Sequence, residues 1–67
     1  SRMWVVVYMA HNKETADALV DLISKEGIRH KLKPVYKNVA PENNCYEILV
    51  PQIEAREAQD ILIENGY

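Results

Sequence analysis

The chain has 67 residues, of which 27% are charged, and its formal charge of −2 gives no overall attraction to nucleic acid or to a membrane of anionic lipid. A chain of this length forms one domain and buries only about 60% of the surface that its unfolded form exposes. Because Cys45 is the only cysteine, an internal disulfide is excluded, and oligomerisation becomes the expected additional support. The lone thiol and the shortness of the apolar run at residues 3–10 predict a cytoplasmic protein without a signal peptide or membrane span.

The expected domain spans residues 3–67. Ser1 and Arg2 stand before Met3, which has the character of a natural start. We interpret these two residues as a remnant of expression cloning and exclude them from functional inference.

The first predicted element is a strand over residues 3–10, which is rich in β-branched and aromatic residues. Asn12 then offers an N-cap, and apolar residues recur at helical spacing over residues 13–26. Gly27 ends this helix, because a common C-terminal cap requires a left-handed residue, and Ile28 follows as its hydrophobic contact.

The second strand is predicted over residues 28–33, where Ile28, His30 and Leu32 alternate with cations. This pattern is typical of a strand with one solvated face, and it makes His30 half-buried. Pro34 lacks an amide donor, so this strand is predicted to lie at an edge of the sheet.

Turn-forming residues occupy positions 38–44, and a third strand is predicted over residues 45–50. Together with the second strand it forms a hairpin with a long tip. Pro51 suits the entry to a second helix over residues 52–65, which Gly66 caps.

Residues 16–28 and 55–67 align without gaps at a constant offset of 39 positions. Each segment is a helix that ends in glycine and follows an apolar strand, so the chain resembles two β-α halves joined by a hairpin. The alternative is that any two capped amphipathic helices look similar.

The order β-α-β-β-α is the ferredoxin-like plan without its last strand. A right-handed crossover makes the first two strands parallel, with the third between them and both helices on one face. The expected fold class is therefore α+β, a two-layer ferredoxin-like sandwich with an antiparallel three-stranded sheet in the order 1-3-2. The helix-facing residues are predicted to be Val5, Val7, Ile28, Leu32, Ile48 and Val50. The open face is predicted to hold Trp4, Val6, Tyr8, Arg29, Lys31, Lys33, Glu47 and Leu49.

Two long segments, WVVVYMAHNKETADALVDLISKEGI and YEILVPQIEAREAQDIL, resemble a family of small prokaryotic signal-transducing proteins. The resemblance covers nearly the whole chain and implies a bacterial protein with a fold similar to the GlnB-type nitrogen regulators. It brings no catalytic or ligand motif with it. Sequences of this kind have also been given enzyme names such as glutamate decarboxylase, but a pyridoxal-phosphate site needs a larger cleft than this chain can enclose.

Metal and nucleophile chemistry have little support in the sequence. His11, His30 and Cys45 are the only soft metal ligands, and their spacing fits neither a zinc knuckle nor a helical pair. Cys45 has neither an adjacent cation nor a helix N-terminus to activate it as a nucleophile, and it is expected to act as a small hydrophobic residue. We therefore expect no catalytic residue, no cofactor, no metal and no enzymatic activity, and the roles of these three residues stay open.

The predicted function is a small regulatory, signal-transducing or protein-interaction module that binds a protein partner or small effector through its sheet. The candidate interaction face comprises Trp4, Val6, Tyr8, Arg29, Lys31, Lys33 and Leu49. An alternative is the binding of single-stranded RNA, in which cations follow phosphates and aromatic rings stack on bases. The acidic charge and the missing K/R-G-F/Y run argue against nucleic acid. A second alternative is a sensor subunit that binds a small effector.

The first strand is apolar on both faces, yet the fourth strand that would flank it has no counterpart in the predicted elements. Its free edge has no lysine, proline or glycine, whereas the second strand has lysine and proline. We expect a homo-oligomer, most simply a two-fold dimer that pairs this strand or packs the open faces, with Trp4 and Val6 at its centre. The alternatives are that C-terminal residues cover the strand, or that the protein is a monomer that tolerates an exposed Trp4.

Overall fold

Three strands and two helices follow one another along residues 3–67, which are the residues that the structure, a computed structural model, describes. The interpretation of Ser1 and Arg2 lies outside the described residues. The elements in chain order are β1 (Trp4–Ala10), α1 (Lys13–Lys25), β2 (Lys31–Pro34), β3 (Tyr46–Pro51) and α2 (Ala55–Glu64). Both neighbouring strand pairs are antiparallel, and the sheet order is β1-β3-β2. The predicted α+β class and the strand order 1-3-2 are thus confirmed.

The two helices end in the same way. At α1, Gly27 has a φ of 78°, and the Ile28 amide donates to the Ile23 carbonyl at 3.2 Å. At α2, Gly66 has a φ of 90°, and the Tyr67 amide donates to the Leu62 carbonyl at 2.9 Å. In both caps a left-handed glycine is followed by a residue whose amide donates to the carbonyl five residues earlier. This arrangement satisfies carbonyls that the helix leaves free. The aligned halves of the sequence therefore share their helix caps as well as their residue pattern.

The second helix begins later than expected. A single 3₁₀ turn at Gln52–Glu54 precedes α2, and the Gln52 amide donates to the Met3 carbonyl at 2.8 Å. Since that amide extends the contact between β3 and the start of β1, the chain first completes the sheet and then enters the helix at Ala55.

The second strand is shorter than expected and starts at Lys31. Because the Ile28 amide is used in the α1 cap, it cannot join the sheet ladder, although the Ile28 side chain is buried in the core. Arg29 lies before the strand, and its guanidinium contacts the Glu54 carboxylate at 3.1 Å. His30 is exposed, so its predicted half-buried position is wrong. The prediction for Arg29 on the open face is also wrong, since the residue precedes the strand.

The core lies between the helices and one face of the sheet. Both helices contact each other, β1 and β3. The buried hydrophobic residues are Ala10, Ala16, Leu19, Ile23, Ile28, Tyr46, Ile48, Val50, Ala58 and Leu62. The molecule is a slab with Cα extents of 32 × 31 × 15 Å, in which burial alternates along β3. The second face of the sheet is consequently left open.

A β-bulge in β1 changes which side chains reach the open face. Val6 pairs with Leu49, but the next paired residue is Tyr8, opposite Ile48, so Val7 is the extra residue. Tyr8 shares the helix side with Ile48 and packs edge-on against Tyr67, with ring centroids 6.1 Å apart. The prediction that Tyr8 lies on the open face is therefore wrong, because one inserted residue reverses the alternation that follows it.

Candidate interaction face

The open face consists of side chains that project from the uncovered side of the sheet in two rows and at one end. In the first row, Val6 and Lys31 flank Leu49 on the central strand. In the second row, Met9 and Lys33 flank Glu47, and Trp4 lies at the end of β1. The complete set is Val6, Leu49, Lys31, Met9, Glu47, Lys33 and Trp4. We use the name open face for this set.

The open face is divided into an apolar half and a charged half. Val6 is 46% exposed and Met9 is 45% exposed, and both lie on β1. Trp4 on β1 and Leu49 on β3 are half-buried. The lysines lie on β2, so apolar surface is concentrated on the side of the sheet that β1 forms. Exposed apolar side chains that adjoin one another are typical of an interaction site.

Trp4 and Lys31 connect the two halves. The Lys31 ammonium lies 4.3 Å from the centroid of the Trp4 ring, within the range of a cation–π interaction. Such a contact at an exposed site contributes about 0.5–1 kcal/mol. It favours an orientation in which the indole ring extends across the sheet towards β2.

The open face includes five of the seven residues predicted for the candidate interaction face. These five are Trp4, Val6, Lys31, Lys33 and Leu49. Tyr8 and Arg29 lie elsewhere, for the reasons given above. Met9, which was predicted for neither face, lies opposite Glu47 because of the bulge at Val7, and no residue pattern in the sequence marks that bulge.

His11 and Cys45 are neighbours although they are far apart in the sequence. His11 follows β1 and Cys45 precedes β3, next to the pair formed by Ala10 and Tyr46, and the Cys45 Sγ lies 4.0 Å from the His11 Nδ1. From the sequence alone the two residues were considered as separate candidates, and their contact was not predicted. Within residues 3–67, no group of three or more His, Cys, Asp or Glu side chains has a geometry that could hold a metal ion.

A groove follows the free edge of β1 beside α2. It has a volume of about 330 Å³ and is lined by Val7, Tyr8, Gln59, Leu62 and Ile63. Ile63 is 67% exposed, so the groove presents an apolar wall at the strand edge.

The loop between β2 and β3 is held in place by side chains at its base. The Asn44 Oδ1 accepts from the amides of Tyr36 and Cys45, and its Nδ2 donates to the Tyr36 carbonyl at 2.8 Å. The Tyr46 hydroxyl donates to the Pro41 carbonyl at 2.7 Å. The turn formers of the sequence predict a loop here, but they give no indication of this bracing.

The fold and its faces define a small two-layer α+β domain with one open sheet face. No family model, curated protein or solved structure matches this chain. Along the described part of the chain, neither helix has the length and apolar character needed to cross a membrane.

Proposed function

We propose that the protein is a non-catalytic regulatory or signal-transducing module that acts through self-association of its open face. The observation that carries this proposal is the adjoining apolar surface of Trp4, Val6, Met9 and Leu49, two of which are nearly half exposed. A domain of this size has little core to spare, so covering such a surface favours a stable assembly.

The proposed binding partner of the open face is a second copy of the same chain. A two-fold dimer brings the same patch of both subunits together, so each residue meets the partner's version of the patch. The open face carries both signs of charge, since Glu47 lies on the central strand and Lys33 lies beside it on β2. Apolar contact near the two-fold axis and Glu–Lys contact at the periphery are therefore compatible in one symmetric interface.

Packing of the open faces is favoured over pairing of the β1 edges. The bulge at Val7 interrupts the regular hydrogen-bonding pattern of β1, and bulges are among the features that protect sheet edges from strand addition. The apolar groove beside α2 supports the other arrangement, and the two modes differ in the residues that they bury.

The resemblance to prokaryotic signal-transducing proteins supports a regulatory role and a ferredoxin-like, GlnB-like assignment of the domain. The order of the elements agrees with that plan, with the fourth strand missing from the described residues. The proposal places the protein in the cytoplasm, where a free, half-buried thiol such as that of Cys45 remains reduced.

The Val6→Lys substitution tests the proposed dimer. Sedimentation velocity at micromolar concentration should give a dimer for the wild type and a monomer for the variant, because the new ammonium would have to be desolvated inside the interface. Thermal unfolding of the wild type should shift upward with protein concentration, whereas that of the variant should not. The variant should be less stable than the wild type at equal concentration, since it lacks the stabilisation that association provides.

Ile63→Lys is the matched control, because it adds the same charge at an exposed aliphatic residue on α2. This variant should remain a dimer. A dimer that Ile63→Lys dissociates and Val6→Lys does not would place the contact at the β1 edge. A wild-type protein that is monomeric throughout would contradict self-association in either form.

Binding of single-stranded RNA is the second candidate function. Trp4, Lys31 and Lys33 share the open face, which is the combination of ring and cations that such binding uses. Against it, the Lys31 ammonium already lies over the Trp4 ring, and Tyr8 packs on the other side of the sheet. An oligonucleotide titration tests this candidate together with the site described next.

A further inference from the structure

A cavity of about 690 Å³, widely open to solvent, lies where the loop between β2 and β3 meets the start of α1. Its volume is within the range of sites that bind small molecules. Three lysines contribute to its lining, namely Lys13 from α1, Lys33 from β2 and Lys37 from the loop. This cavity is on the β2 side of the sheet, whereas the proposed dimer contact is centred on β1.

The charge of the cavity lining is opposite in sign to that of the protein. The lining contains no aspartate or glutamate, although the whole chain has a formal charge of −2. Lys13 contacts Asp17 at 3.0 Å, but within residues 3–67 neither Lys33 nor Lys37 forms a salt bridge. Neither Lys33 nor Lys37 is thus neutralised within the described chain, and a lining that carries lysines without carboxylates raises the local concentration of anions.

The remaining lining is mostly apolar and includes one aromatic ring. Tyr36 is 56% exposed, and Pro34, Val39 and Pro41 adjoin it in the cavity wall. A flat apolar group could stack against the Tyr36 ring while an attached anion reaches the lysines.

The cavity is also preorganised. Asn44 fixes both backbone groups of Tyr36, and the Tyr46 hydroxyl fixes the Pro41 carbonyl. A ligand would therefore meet a loop whose backbone is already ordered, which reduces the entropy lost on binding.

We propose that this cavity binds a small phosphate monoester that carries an aromatic or other flat apolar group. A phosphate monoester has a charge of about −1.5 to −2 at neutral pH and three acceptor oxygens. Lysines bind phosphate as point charges, whereas planar carboxylates are best matched by the fork of arginine, which the lining does not contain. The flat group of the ligand would contact the apolar part of the lining, and its phosphate would contact the lysines.

The test is an NMR titration of the ¹⁵N-labelled full chain with phenyl phosphate, inorganic phosphate and benzyl alcohol as separate probes. Phenyl phosphate should shift the amides of Lys13, Lys33 and residues 36–39, and it should bind more tightly than either of the other probes. The affinity should fall as salt is added, because the ammonium groups are solvent-accessible. Lys37→Ala should weaken binding of phenyl phosphate about tenfold, as expected for losing a hydrogen bond to a charged group.

Lys25→Ala is the control, since Lys25 is an exposed lysine on α1 that pairs with Asp21 outside the cavity. This variant should bind phenyl phosphate as the wild type does. Equal weakening by both variants, or an absence of shifts at low salt, would overturn the proposal. The proposal would also be overturned if a short single-stranded oligonucleotide bound much more tightly than phenyl phosphate and shifted the amides of Trp4 and Leu49 instead. That result would indicate that the lysines bind RNA. The Val6→Lys variant should retain phenyl phosphate binding, which separates this test from that of the dimer.

Discussion

Asn44 is a buried side chain whose polar atoms all have backbone partners, and it is 3% exposed. Neighbouring asparagines in the same loop are exposed, so the composition of residues 38–44 could predict a turn but could not distinguish the residue that holds it. The distinction depends on how β2 and β3 enter the loop. It is therefore a property of tertiary structure.

Asn44→Ala should lower the free energy of unfolding by about 1–3 kcal/mol, because it leaves the amides of Tyr36 and Cys45 and the Tyr36 carbonyl without their partner. Urea denaturation followed by circular dichroism measures the change. Asn43→Ala provides the control, since the Asn43 side chain is exposed, and it should change the free energy of unfolding by less than about 0.5 kcal/mol. Similar losses in both variants would contradict a specific role for Asn44.

At the scale of the elements, the helix caps were more predictable than the starts of β2 and α2, each of which lies three residues later than expected. Asn12 caps α1 as expected, its Oδ1 accepting from the Thr15 amide at 2.7 Å, and both glycines have the predicted left-handed conformation. These signals are local and depend on a few adjacent residues. The start of β2 and the bulge at Val7 depend on which partner each backbone group finds, and alternation alone does not contain that information.

Gly27→Ala should lower the free energy of unfolding by about 1 kcal/mol. A Cβ at Gly27 would have no heavy atom within 4 Å, so the substitution causes no steric clash with the surroundings. The expected cost comes from the φ of 78° alone. Gly27→Asn should cost less, since asparagine tolerates the left-handed region. Thermal or urea unfolding of the two variants provides the comparison, and an asparagine variant less stable than the alanine variant would contradict this explanation.

At the scale of the whole molecule, the sheet order followed from the element order and from the handedness of the crossover. The division of the open face into an apolar half and a charged half was also largely predictable from β1 and β2. The cavity beside Lys37 was not, because its lining comes from α1, β2, β3 and the loop, and no single stretch of sequence contains it. Surfaces built by one element could thus be inferred, whereas a concave site built by four could not.

The order of strands in the sheet has a consequence for folding kinetics. β3 pairs with β2 across one loop, but its partners in β1 are about 40 positions away in the chain. Closing that longer loop costs more chain entropy, so we expect the β2–β3 hairpin to form before β1 docks. Until then the segment WVVVYMA, which has no charged residue, remains exposed to other chains.

Pulse-labelling hydrogen exchange during refolding should therefore find amides of β2 and β3 protected earlier than those of β1. Simultaneous protection of all three strands would contradict this order. The yield of refolding should fall as protein concentration rises, because the undocked β1 segment can associate between chains before it reaches β3. The same seven residues that complete the sheet are thus also the part of the chain most exposed to aggregation while it folds.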